Sequence, residues 1–202
     1  SSALENRLVR EGPLSELQHL QSKDPSIRWA LLKMIFNLAA LGDHLPCVWL
    51  EDIIRIAMDT LQNSIKIIQR IQRHQKAGRA GTPTTTGEKQ DAQESEFYAV
   101  ILLMQTISRL ARITGVTQAL LAKDIIHSIS AVVAIAYECL LTKPSNQLPE
   151  LAKQKKESVE FLELSCILLY YLSGTVKAAP RMIEAQCHAV LRDLWGKLLY
   201  IA

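Results

Sequence analysis

Aromatic side chains make up only 5% of the 202 residues, and glycine, proline and cysteine number 8, 7 and 4. So few breakers over this length argue against the short strands and frequent turns of a β-sandwich, and for long helices. With aromatics this scarce, aliphatic side chains must fill the interior, and a 49% hydrophobic content supplies enough of them for one domain. Cys47, Cys139, Cys166 and Cys187 are far apart and lie inside apolar stretches. A disulfide framework places its cysteines densely and in loops, so free buried thiols in a reducing compartment are expected. Long apolar runs are also missing. The longest uncharged stretches, 125–137 and 164–176, fall short of the roughly 18 residues that a membrane span needs. With no leader pattern and no Asn-x-Ser/Thr acceptor, the expectation is a soluble intracellular protein, cytoplasmic or nuclear. A net charge of +3 does not by itself argue for nucleic acid.

What the chain does have is a helical period of apolar residues, broken at regular signals. Leu14, Leu17 and Leu20 repeat at helical spacing after Gly12. Asp24 and Pro25 then form a restart, with Asp as N-cap and Pro at the first helical position. Ile27, Leu31, Met34, Ile35 and Leu38 follow on one face, up to Gly42. A longer amphipathic segment opens at Leu50 and carries Ile53, Ile54, Ala57, Leu61, Ile65, Ile68 and Ile71. Residues 77–95 are Gly, Thr, Pro, Gln and charge, and are expected to be a mobile loop inserted in the domain. The helical pattern resumes at Glu96 and runs to Gly115, a short and a long helix fill 117–141, and 143–151 reads as a second loop. A very apolar helix over about 156–173 ends at Gly174, and a last one starts near Pro180.

The stretch from Glu11 to Ala39 resembles an armadillo repeat. In that family the first helix ends at a Gly, the second supplies inward leucines, and the third closes on Asn-Leu-Ala beside a concave groove. Gly12, then Leu14, Leu17 and Leu20, then Ile27 to Asn37-Leu38-Ala39 stand in that order. The resemblance covers one unit of about 40 residues. Arg109-Leu110-Ala111 and Tyr171-Leu172-Ser173 occupy equivalent helix ends at wider spacing. It implies an all-α, irregular armadillo/HEAT-like solenoid of stacked antiparallel helices. Residues 1–202 would form a single helical-repeat domain. A repeat cannot bury its apolar face alone, and the chain ends in mid-pattern on Leu198 to Ala202, so a segment of a larger array is expected. The family's grooves carry a Trp four residues before the Asn; here Lys33 holds that position and Trp29 lies a turn earlier.

The implied function is a non-enzymatic protein–protein interaction scaffold, holding a peptide or subunit in its groove or at its apolar end. By equivalence the groove residues are Trp29, Lys33, Asn37, Gln105, Arg109, Glu163 and Tyr171. Trp29, Lys33 and Asn37 share one helix face at i, i+4 and i+8. The alternative is a basic helical module that meets nucleic acid or an acidic partner through Lys66, Arg70, Arg73, Lys76 and Arg79. Thr82, followed by Pro83, is a candidate phosphorylation site. The five histidines share no spacing with acids that would make a base pair or a metal cage, and Cys187 and His188, being adjacent, point apart on a helix. The Gly81–Lys89 run lacks phosphate-loop spacing and has Glu88 where the lysine belongs. No catalytic residue, metal or cofactor is expected.

Overall fold

The computed structural model describes residues 25–78, 86–141 and 148–184, together with 188, 189 and 192. These residues are all-helical, without a strand among them. The helices are α1 (Pro25–Ala39), α2 (Cys47–Gly78), α3 (Thr86–Leu110), α4 (Val116–Ala122), α5 (Ile125–Leu141), α6 (Leu148–Ser173) and α7 (Ala178–Glu184), with a 3-10 turn at Gly42–His44.

Local chemistry accounts for most of the boundaries. Pro25 is the first residue of α1, where its missing N–H is not needed. The exit from α1 passes through Gly42 at φ +58°, a left-handed conformation that suits a residue without Cβ. Gly115 does the same at the entrance to α4, at φ +86°. Between α4 and α5 the left-handed residue is Asp124, at φ 62°, whose carbonyl accepts from the Ser128 N–H. Pro149 and Pro180 sit in the first turns of α6 and α7, where proline is tolerated.

Three helices begin earlier than the apolar pattern suggests. α2 starts at Cys47 rather than Leu50, α6 at Leu148 inside the expected second loop, and α3 at Thr86 rather than Glu96. Of the expected 77–95 loop, 77–78 belong to α2 and 86–95 to α3, while 79–85 lie outside the described residues. Glu88 to Glu94 is rich in Glu, Gln, Lys and Ala, which favour helix without any apolar stripe. An apolar period does not register such an extension. The segments around Leu14–Leu20 and the N-cap Asp24 lie outside the described residues.

One continuous core joins the helices. Its largest fully buried side chains include Phe97, Phe161, Leu32, Ile35, Met58 and Leu103. α2 packs along α3, and α5 along α6. Seven residues link α2 to α3, and they reach at most about 25 Å. Returning to the start of a 32-residue helix would take about 48 Å, so α2 and α3 are antiparallel. α3 also packs on α1 and on α6, and α2 on α5. Arg28 meets Glu96 while Phe36 meets Arg109, so α1 and α3 run the same way. Gln105 meets Glu160 and Arg112 faces Tyr171, which makes α3 and α6 parallel too.

Candidate functional site

The row α1–α3–α6 holds all seven residues expected in the groove. On α1, Lys33 and Asn37 are exposed, whereas Trp29 is half-buried against the core. Its ring lies 5.4 Å from that of Tyr98 on α3, tilted by 44°. Tyr98 is 52% exposed, so the pair presents an open aromatic ledge between the two helices.

Beside Tyr98, α3 and α6 enclose a groove of about 340 Å³. Its floor is Ile101 and Leu102, and its sides are Tyr98, Gln105, Lys156, Glu157 and Glu160. The Gln105 amide donates to the Glu160 carboxylate at 2.9 Å, so Gln105 spans the groove rather than waiting for a ligand.

Arg109 serves the fold. Its guanidinium donates to the Phe36 carbonyl at 3.2 Å and lies 3.8 Å above the Phe36 ring. A cation held at the C-terminal end of α1 satisfies a carbonyl left over by the helix and matches the helix dipole. Glu163 is exposed on α6. Tyr171 is half-buried, with its ring 5.6 Å from Tyr170 and 5.7 Å from the Arg112 guanidinium. The seven residues thus share one layer, and the geometry separates them. Trp29, Lys33 and Asn37 line its α1 edge, Gln105 and Arg109 are engaged in helix-to-helix bonds, and Glu163 and Tyr171 lie on α6.

Lys66, Arg70 and Arg73 are exposed on α2. Lys76 belongs to the same helix, its side chain outside the described residues, as are Arg79 and Thr82. Cys47 and Cys166 are exposed free thiols, contrary to the expectation of buried ones, and Cys139 is buried. Cys166 sits in an apolar run, yet its turn of α6 faces away from the core.

Apolar periodicity missed the residues that fasten α3. Arg28 donates to Glu96 at 2.5 and 2.7 Å and to the Ser64 hydroxyl at 2.9 Å. Burial pushes the Glu96 carboxyl up, but the hydrogen bonds from Arg28 and Ser64 and the Arg28 charge outweigh it and hold the group below its ordinary value. The signal was present in the sequence as opposite charges embedded in two apolar patterns. Tyr98 was missed because the preceding residues show no face from which to orient it.

Among the described residues, no three of His, Cys, Asp and Glu gather where a metal ion could be held. No single helix there is long and apolar enough to cross a membrane. The bent α4–α5 pair reaches that length and apolarity together, with a 73° break, and its Val116, Leu120, Ile125, Ile126 and Ile129 are buried in the core. No family model, curated protein or solved structure matches this chain.

Proposed function

We propose that the chain is a non-enzymatic interaction scaffold built as an armadillo/HEAT-like stack, offering the α1–α3–α6 row to a peptide or a subunit of a larger assembly. The order of helix neighbours supports the stack. Gln62 meets the Lys123 carbonyl and Gln72 the Cys139 sulfur, so α2 and α5 run the same way, as α3 and α6 do, and each antiparallel pair touches the next through parallel helices, as stacked repeats do. A bundle with alternating up and down helices would instead make every neighbour antiparallel.

The observation that carries the binding reading is the Trp29–Tyr98 ledge at the mouth of the α3–α6 groove. Large aromatic side chains dominate binding hot spots, and here one is open above an apolar floor. Lys33 and Asn37 extend the same edge with polar groups able to hold a backbone. Exposed thiols at Cys47 and Cys166 fit a reducing, intracellular setting.

Capture of the native partner by the purified chain tests this reading. Trp29→Ala with Lys33→Glu, and separately Tyr98→Ala, should each weaken capture about tenfold or more while the helical circular dichroism is kept. Lys66→Glu, on α2, should leave it unchanged. Capture that survives both groove variants would remove this row as the binding face.

A further inference from the structure

The helices repeat with a fixed displacement. α6 starts at Leu148, 62 residues after α3 starts at Thr86, and α7 (Ala178–Glu184) matches α4 (Val116–Ala122) at both ends with the same displacement. The turns between them match as well. The Ile113 N–H bonds the Leu110 carbonyl, and the Val116 N–H bonds the Ile113 carbonyl. At the displaced positions the Thr175 N–H bonds the Leu172 carbonyl, and the Ala178 N–H bonds the Thr175 carbonyl. Leu110 and Leu172 are both fully buried. α3–α4 and α6–α7 are two copies of one structural unit.

The copies differ in what lies against them. On α3, Phe97, Ile101, Met104 and Ser108 stand at i, i+4, i+7 and i+11, one stripe of the helix. All four are buried, at 6% exposure or less. α6 lies against this stripe: Phe97 stacks on Phe161, and Ile101 floors the groove that α6 walls. The same displacement carries the stripe to Val159, Glu163, Cys166 and Tyr170 on α6. There every member is exposed, Val159 by 55% and Tyr170 by 75%. Of the eight large hydrophobic side chains exposed among the described residues, four (Val159, Tyr170, Val176 and Ile183) lie at this end. Such a concentration marks an interaction face, whereas scattered single residues would not.

We propose, resting on the stacked arrangement inferred above, that this stripe of α6 seats one further helix, parallel to α6 and supplied by a partner protein as a basic amphipathic sequence. The row α1–α3–α6 thereby continues by one place, since the equivalent face of α3 already holds a helix running the same way. Side-chain chemistry sets the charge. Glu163 stands where α3 has Ile101, so a Lys or Arg of the partner would meet it. Tyr170 offers its ring to a second cation, as Tyr171 does to Arg112 at 5.7 Å. Leucines opposite Val159 and Cys166 complete the contact. A second copy of this chain fits less well. Two α6 stripes meeting across a two-fold axis would run antiparallel, with the axis between Glu163 and Cys166. The two Glu163 carboxylates would then stand about 5 Å apart along the helices, a like-charge pair.

The test uses the full chain and a fluorescein-labelled peptide of about 18 residues, five helical turns, with Leu at i, i+4, i+7 and i+11 and Arg on the flanks. A scramble of the same composition and a version with Glu in place of Arg are the comparisons. By anisotropy the Arg peptide should bind at least about tenfold more tightly than either. Cys166 lies in the stripe and Cys47 at the start of α2, and both thiols are exposed. Bound peptide should slow iodoacetamide modification of Cys166 about tenfold and leave Cys47 unchanged. Tyr170→Ala should weaken binding about tenfold. Glu163→Lys should transfer the preference to the Glu peptide, a gain that a damaged fold would not produce. Equal binding of the scramble, no binding of any peptide, or an unprotected Cys166 would overturn the proposal. So would binding lost in Tyr98→Ala but kept in Tyr170→Ala, which would move the peptide to the α1–α3 ledge. Wild-type dimers in sedimentation that Tyr170→Ala dissociates would give the face to a second copy and equally overturn it. The ledge and stripe variants share no residue, so either reading can fail alone.

Discussion

The Arg28 guanidinium grips the Glu96 carboxylate with two hydrogen bonds, at 2.5 and 2.7 Å, where α1, α2 and α3 meet. Ser64 on α2 completes the junction, accepting from Arg28 and donating to Glu96. Glu96 is only 6% exposed, so its charge depends on these partners. A buried carboxylate deprived of its cation keeps the desolvation cost and loses the compensation.

Arg28→Leu should therefore destabilise the fold by about 3 kcal/mol, and Glu96→Gln by about 1–2 kcal/mol, since the amide keeps part of the hydrogen bonding. The pH dependence has a definite sign. Glu96 has a lowered value in the folded state, so its contribution is complete above the ordinary Glu value of about 4.3 and is lost as pH falls through the lower folded value. Urea titrations of wild type and Glu96→Gln should differ most at neutral pH and converge toward pH 3. A gap that stays constant over that range would exclude the ionised carboxylate as its source.

Phe97 and Phe161 stack with ring centroids 5.3 Å apart and planes 13° from parallel, and both rings are fully buried. They join α3 to α6, the contact on which the groove depends. Phe161→Ala should cost about 4 kcal/mol, because the emptied volume is lined by a helix-packed core that collapses only in part. Phe161→Leu should recover more than half of that. Thermal unfolding would measure both, and an alanine loss below about 1 kcal/mol would show that the stack is not a structural joint.

Much of this architecture was legible in the sequence, because burial follows a helical period. Ile53, Ile54, Ala57, Leu61, Ile65 and Ile68 form the buried stripe of α2 that the spacing indicates. Gly42 and Gly115 mark chain reversals at positive φ. The seven proposed groove residues fall on three helices in one row, yet their roles were not legible. Arg109 and Gln105 spend their polar atoms on neighbouring helices, a consequence of which helices become neighbours, and that is fixed by non-local packing. The same holds for Arg28 and Glu96, which are 68 residues apart. The first turns of α3 and α6 escaped for a different reason, since their sequence is helix-forming but carries no apolar period to register.

The three described thiols should differ sharply in reactivity. Burial pushes Cys139 up to about 11, helped by the nearby Glu138 and Glu157 charges and opposed by hydrogen bonds from Ser158 and Gln72. At pH 8 that leaves a thiolate fraction of about one in a thousand. Iodoacetamide followed by peptide mapping should show Cys47 and Cys166, both exposed, modified long before Cys139, whose protection disappears in urea. Modification of Cys139 at the rate of Cys166 in the native protein would contradict its burial.

Thr60 carries a cost that a single substitution can remove. The residue is 4% exposed on α2, and its hydroxyl oxygen is buried without a hydrogen-bond partner. Desolvating a hydroxyl that finds no partner costs about 1–3 kcal/mol, whereas the methyl group packs as an apolar atom. Thr60→Val keeps the shape and discards the unpaired oxygen, so it should stabilise the fold by about 1 kcal/mol and raise Tm by about 2–4 °C. Thr60→Ser makes the opposite trade, keeping the hydroxyl and losing the methyl, and should destabilise by about 1 kcal/mol. Calorimetry on the pair separates the two groups at one position. A valine variant less stable than wild type would mean that the Thr60 hydroxyl contributes to the fold through a bound water.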